Sequence, residues 1–317
     1  MQNIDTLHPV LGRVIDNIGK VMIGKRDVAT LSLVALLAEG HVLLEDVPGV
    51  GKTMMVRALA KSVSADFKRI QFTPDLLPSD VTGVSIYNPK ELRFEFRPGP
   101  IMGNIVLADE INRTSPKTQA ALLEGMEEAT VTVDGVTRPL AKPFFVMATQ
   151  NPIEYEGTYP LPEAQLDRFI LKLRMGYPTP DEEMDMLARM ESGQPINELE
   201  AVISTEELIQ LQQEAKKVSV DESIRQYIVN IVTQTRNHLS IYLGASPRGA
   251  LSLMRAAQAY ALVHGRDYVV PDDVKYLAPF TLSHRIILKS EAKFEGITTE
   301  QIVERMLEQI RVPLVRR

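Results

Sequence analysis

Hydrophobic and polar positions along the chain follow two periods. Residues 7–22 and 26–38 carry apolar side chains at helical spacing and predict two helices. His41 to Glu45 (HVLLE) is a short apolar run that ends in a Gly-rich turn, which predicts a buried strand, with a helix following over 52–63. The stretches 68–72 (KRIQF), 104–108, 144–148 and 169–173 predict four more strands. Ser115-Pro116 supplies an N-cap and a first-turn proline for a helix reaching about Glu128. The stretch Thr130 to Thr137 alternates around Asp134-Gly135, a hairpin signature. A second hairpin is expected over 84–97, where Leu92, Phe94 and Phe96 alternate with Arg93, Glu95 and Arg97. This interleaving of strands and helices predicts an α/β fold with a mostly parallel sheet.

Beyond residue 176 the strand signals stop. Tyr177-Pro178-Thr179-Pro180 is a stiff break, 181–191 predicts a helix, and Gly193-Gln194-Pro195 begins a linker-like stretch. From Thr205 onward the patterns are helical. The cleanest is 247–264, capped by Ser246, opened by Pro247 and ended by Gly265. The expected organisation is an α/β domain over 1–176 and a linker plus small all-helical domain over 177–317.

Composition narrows the function classes. A length of 317 residues suits two domains, and 44% hydrophobic with 24% charged residues excludes wholesale disorder. Lys+Arg of 35 against Asp+Glu of 41 gives a net charge of −6, so bulk charge does not drive binding to a phosphate backbone, and nucleic acid is not an expected partner. With no cysteine, thiol nucleophiles, disulfides and Cys-ligated metals are excluded. His8, His41, His238, His264 and His284 show no metal-ligand spacing. No run approaches the roughly 18 apolar residues of a membrane span, and Met1 to Val10 lacks a basic start and a hydrophobic signal core. The expectation is a soluble cytoplasmic protein, with Arg311 to Arg317 a solvated tail and methionines such as Met54, Met55 and Met126 filling the core.

Asp46-Val47-Pro48-Gly49-Val50-Gly51-Lys52-Thr53, followed by Met54, lies between an expected strand and helix, the context of a phosphate-binding loop. Its glycines let backbone N–H groups approach a phosphate. Lys52 can reach the β- and γ-phosphates, and Thr53 can ligate Mg²⁺. The generic pattern has glycine where Asp46 stands. Ile105 to Ala108 leads into Asp109 and Glu110, two carboxylates at a strand end, one suited to hold Mg²⁺ and the other to activate water. Thr149-Gln150-Asn151-Pro152 follows another strand and puts a polar amide, Asn151, where it can bond a γ-phosphate or the water. Arg168 and Arg248 are candidates to stabilise charge on a transferring phosphoryl group. Arg248 stands in the first turn of a helix, where the dipole repels a cation, so its placement calls for some compensating reason.

Taken together these motifs resemble the MoxR family of AAA+ ATPases. The likeness runs through Leu43 to Thr53, Arg69 to Asp80 (RIQFTPDLLPSD), Ala108 to Arg113, Ala148 to Pro152 and Gly157 to Phe169, and spans nearly the whole chain. It implies a P-loop three-layer αβα core with a helical lid. It also implies ATP with Mg²⁺ as ligands, and a hexameric ring. Asn151 would be the sensor-1 residue, Arg168 an arginine finger acting on a neighbour's ATP, and Arg248 the sensor-2 arginine of the lid. Ile23-Gly24 would cover the adenine, and 84–97 and 130–138 would be insertions. Chaperone-like remodelling of partners, von Willebrand factor A domain proteins among them, would be the biological output. A nucleotide-gated binding module with little turnover and a DNA-remodelling ring are the alternatives. The first has no need of Glu110 and Arg168, and the second lacks a basic stripe. A GTPase reading of Asp80-Val81-Thr82-Gly83 lacks an Asn-Lys-x-Asp guanine reader.

Overall fold

The structure, a computed structural model, describes residues 7–151, 157–191 and 195–313. Pro152, the linker-like Gly193-Gln194 and the tail from Leu314 therefore lie outside the described residues, as do Met1 to Thr6.

Helices α1 (Pro9–Gly19) and α2 (Arg26–Leu37) precede β1 (His41–Glu45), α3 (Lys52–Ser62) and β2 (Phe67–Gln71). A short α4 (Pro78–Thr82) leads into a hairpin of β3 (Gly83–Asn88) and β4 (Arg93–Pro98). Next come β5 (Ile105–Asp109), α5 (Pro116–Glu128) and a second hairpin of β6 (Thr130–Val133) and β7 (Val136–Pro139). Then follow β8 (Phe145–Gln150), α6 (Glu163–Leu166) and β9 (Phe169–Leu173). The remainder is α7 (Pro180–Glu191), α8 (Pro195–Glu198), α9 (Thr205–Lys217), α10 (Glu222–Asn237), β10 (Ile241–Leu243), α11 (Pro247–Val263), α12 (Pro271–Leu282), β11 (Ile287–Leu288), α13 (Ser290–Phe294) and α14 (Thr299–Gln309).

The main sheet has the order β2-β5-β8-β1-β9, every pair parallel. β1, β5 and β8 lie inside the sheet, are buried on both faces and read as largely apolar runs; of the two edge strands, β9 is buried except at Lys172, whereas β2 buries only Ile70. Each strand lies within a residue or two of its expected place, and both hairpins form where alternation predicts them. One face of the sheet packs Val42, Leu44 and Leu171 against α1, α2 and α3; the other packs Leu43, Val106 and Phe169 towards Leu122 and Leu123 of α5.

Helix α2 has Leu31, Leu33, Val34, Leu36 and Leu37 all buried because it is sandwiched between the sheet and the helices α9 and α11. Its apolar surface joins the two halves of the chain into one core. Two features depart from the sequence pattern. The helical half also carries a short antiparallel pair, β10 with β11, too brief for any periodicity to reveal. Helix α1 stops at Gly19, and residues 20–24 form turns instead of a further helical turn.

A buried guanidinium locks α12 to the start of β9. Arg285 Nε donates to Asp167 Oδ1 (2.8 Å), and its Nη2 donates to the carbonyls of Asp167 (3.0 Å) and Phe169 (2.7 Å). Ser246 Oγ, which also caps α11 by accepting from Arg248 N (3.1 Å), donates to Asp167 Oδ2 (3.0 Å). The first turn of α11 is thereby tied to the segment that carries Arg168.

His41 is a structural histidine. Its buried ring accepts from Val146 N at Nδ1 (3.0 Å) and donates from Nε2 to Met126 O (3.1 Å). Burial, only partly offset by the bond to Met126, lowers its pKa from 6.5 to about 4. The unfolded chain thus binds the proton first as pH falls. Stability present above pH 6.5 should be lost between 6.5 and about 4, by about 3 kcal/mol for this residue. Urea denaturation across that range should show the loss, and His41→Gln should flatten the dependence.

Candidate active site

The loop after β1 is shaped by left-handed glycines. Gly51 is the N-cap of α3 with φ +93°, a conformation that L side chains resist, and Gly49 has φ +85°. No side chain caps α3, so its first-turn N–H groups are available to an anion at the positive end of the helix dipole. Lys52 Nζ donates to Asp46 O (3.1 Å), folding the ammonium over the loop. Thr53 and Met54 are half-buried on the first turn, Val50 packs on the core, and Pro48 is exposed.

Asp46, the departure from the generic loop pattern, has a structural role. Its Oδ2 accepts the N–H groups of Met175 (2.5 Å) and Gly176 (2.8 Å), and its Oδ1 accepts Val47 N (3.0 Å). A glycine here would leave two amides of the segment after β9 without this acceptor. Lys25 Nζ ties the same segment from the other side, donating to the carbonyls of Met175 (2.8 Å) and Tyr177 (3.2 Å). Met22, just before Ile23-Gly24, sets its Cε 3.3 Å from where a Cβ on Gly51 would lie. Gly24 has φ +68°, a conformation that L side chains resist, and the Glu182 carboxylate of α7 lies against it.

The two carboxylates at the end of β5 are pinned by the neighbouring strand. Thr149 Oγ1 donates to Asp109 Oδ1 (2.7 Å) and accepts from Glu110 N (2.8 Å). Glu110 takes the left-handed conformation, with φ +57°, and the bond to Thr149 helps hold that strained turn. From the other side, Arg69 Nη2 donates to Asp109 Oδ2 (2.6 Å) and to Gln71 Oε1 (2.7 Å). Gln71 Nε2 and Arg113 Nη1 donate to Glu110 Oε2 (2.8 and 3.2 Å). Asn151 is buried just beyond β8, and its carbonyl accepts from Asn112 Nδ2 (3.4 Å). Among the described residues no group of three or more His, Asp or Glu could hold a metal alone. A divalent ion at Asp109 and Thr53 would complete its shell with phosphate oxygens and water, as Mg²⁺ does. The guanidinium already seated on Asp109 shows that this carboxylate accommodates a cation.

Arg168 and Arg248 belong to a second network. Arg168 Nη2 lies 2.9 Å from Glu127 Oε2, and Arg248 Nη2 bonds the other oxygen, Oε1. Glu127, in the last turn of α5, is the partner that offsets the helix dipole at Arg248. The Arg248 hydrogen bond, with the Arg168 charge added, holds the Glu127 carboxyl below its ordinary range.

Several of these residues escaped the sequence reading in this role. Arg69 and Gln71 alternate on a strand next to the acids, a signal visible only once that pairing is known. Thr149 shares a motif with Asn151, but its hydroxyl finds its partners only across the sheet. Glu127 has no sequence signal at all, because it meets its partners across 41 and 121 residues.

Comparison with known proteins places these features in a lineage. Residues 41–171 match the profile of the ATPase family associated with various cellular activities (AAA), and 233–306 match the AAA lid domain. The uncharacterized protein YeaC of Bacillus subtilis is 69% identical over 98% of both chains. Chaperone MoxR1 of Mycobacterium tuberculosis is 44% identical over 96% of this chain and 83% of its own. A crystal structure from Cytophaga hutchinsonii superposes with a TM-score of 0.91 at 43% identity, over 96% of this chain and 95% of that one.

Restoring the generic loop pattern should weaken the fold. Asp46→Gly removes a buried charged acceptor from two amides and should cost about 2 kcal/mol in chemical denaturation.

Proposed function

The chain belongs to the MoxR family of AAA+ ATPases, and from that premise we propose that it hydrolyses ATP at the subunit interfaces of a ring. On this reading the ring is a hexamer that uses the cycle to remodel or mature partner proteins, von Willebrand factor A domain proteins among them. The observation that carries the proposal is the juxtaposition of a helix-capping phosphate loop with two carboxylates pinned by Thr149. That loop, from Pro48 to Met54, takes the triphosphate on its N–H groups and Lys52, while Ile23-Gly24 flanks the base. Thr53 and Asp109 would hold Mg²⁺, which would supply positive charge to the phosphates when bound. For that, the Arg69 guanidinium gives up its place on Asp109 Oδ2.

Glu110 accepts a proton from the water that attacks the γ-phosphorus, as the bond from that phosphorus to the β,γ-bridging oxygen breaks and ADP leaves. Its present partners, Gln71 and Arg113, orient the carboxylate and must yield to the water. Asn151 steadies the water or the γ-phosphate with its amide. Arg168 and Arg248 bond one carboxylate, Glu127, rather than their own phosphate loop, which supports a role for the pair at a neighbour's site. The name of MoxR1 as a chaperone supports the remodelling output.

The direct test is ATP turnover at high protein concentration. Glu110→Gln should bind ATP normally and lose about 10²–10³ in kcat, whereas Lys52→Ala should lose nucleotide binding; a Glu110→Gln variant with wild-type turnover would contradict the assignment. Arg168→Ala should keep ATP affinity and lose about 10³-fold in rate. Mixing it with Glu110→Gln should recover part of the activity, because some interfaces then pair an intact arginine with an intact base. No recovery at any ratio would place the arginine in its own chain's site.

A further inference from the structure

Helix α7 is exposed along nearly its whole described length, although it carries large apolar side chains: Met184 is 67% and Leu187 62% exposed. Met184, Leu187 and Ala188 share one face at helical spacing, flanked by Asp181 and Asp185. A free helix with this stripe has nothing to bury it against. The root of α7 is nonetheless fixed, because Glu182 abuts Gly24 and Arg189 Nη1 donates to Lys20 O (2.9 Å). The helix therefore stands beside the phosphate loop.

Elsewhere on the chain, α10 and α11 leave a groove of about 450 Å³ between them. Its floor includes Val229 (49% exposed) and Leu251 (52%). Arg225 and Arg236 stand on its rim. Each donates to a backbone carbonyl, of Val220 (3.1 Å) and Ala245 (2.9 Å), and neither has a carboxylate within 4 Å among the described residues. The groove begins at Pro247, the residue before Arg248.

We propose that α7 of one copy docks in the α10–α11 groove of the next, its apolar stripe on Val229 and Leu251 and its acidic flank against Arg225 and Arg236. The occupant is a second copy of this chain for two reasons. The charges are complementary, with an acidic apolar helix facing a basic-rimmed apolar groove. The two patches also occupy different places on one molecule, which makes a heterologous contact of the kind that closes into rings. The proposal rests on the ring reading above. If Arg168 and Arg248 reach a neighbour's phosphate loop, the same approach carries the groove, which starts beside Arg248, onto the helix rooted beside that loop. Docking would then couple assembly to completion of the site.

The absence of cysteine makes a clean test possible. Leu187→Cys and Leu251→Cys are prepared as single variants, mixed with ATP and Mg²⁺, and treated with a short bismaleimide. A covalent dimer that forms in the mixture and in neither variant alone is the expected result, and the double variant should give a ladder of multimers. Asp185→Lys should weaken association at least tenfold in sedimentation, and Arg225→Glu/Arg236→Glu should restore it when combined with Asp185→Lys. If wild type and variants sediment alike as multimers with no mixed cross-link, the docking is wrong and the ring survives. If wild type stays monomeric with ATP at every concentration, the ring reading falls and takes the docking with it. A groove that client peptide protects from maleimide, without a Leu187–Leu251 cross-link, would assign the groove to the client and overturn the proposal.

Discussion

Four parallel strands in fixed register bring the reactive groups of this protein to one edge of a sheet. Gln71 pairs with Asp109, Ala108 with Ala148 and Glu45 with Gln150, so β2, β5, β8 and β1 end side by side. Ligands bind at such carboxyl edges because the strand-to-helix turns converge there and the helix N-termini point to it. Within that edge one buried hydroxyl, Thr149 Oγ1, bonds both Asp109 and the backbone of Glu110. A slip of β8 against β5 would separate the two carboxylates from their anchor.

The acids are held in a partly neutralised state. Arg69 and Gln71, two residues apart on an edge strand, face Asp109 and Glu110, and Arg113 adds a further donor. Two adjacent carboxylates would otherwise repel one another and any polyanion brought near them. Strand β2 leads through α4 into the hairpin of β3 and β4, so a shift of Arg69 away from Asp109 has a direct covalent route to an exposed surface. That hairpin shows Leu92 and Phe94 to solvent at its tip.

A second constraint is the pairing of the buried Arg285 with the half-buried Asp167. A buried guanidinium with four acceptor contacts, to the Asp167 carboxylate and the carbonyls of Thr281, Asp167 and Phe169, is costly to unmake, because any partner removed leaves an uncompensated charge. Burial, only partly countered by Asp167, lowers the Arg285 pKa to about 10, which still leaves it cationic at neutral pH. Because Ser246 also bonds Asp167, the first turn of α11 follows the segment before β9. Arg168 and Arg248 are therefore tied together by this network, with Glu127 between them.

Much of this could be read from the residues in order. The buried strands announced themselves as apolar runs, both hairpins as alternation, and the phosphate loop as glycines, lysine and threonine between a strand and a helix. Those are local properties, set by side-chain period, backbone freedom and propensity over a few neighbours. What tertiary structure alone decided is every pairing across long sequence separations. It decided that Asp46 is an acceptor for the amides of Met175 and Gly176, that Arg69 sits on Asp109, that Glu127 gathers Arg168 and Arg248, and that α2 is buried on nearly all sides. No period encodes such meetings, because they depend on which strands neighbour one another and how the helical half packs back on the sheet. Chemistry at the loop is thus local in origin, while the counter-charges and the arrangement of arginines come from the packing of distant segments.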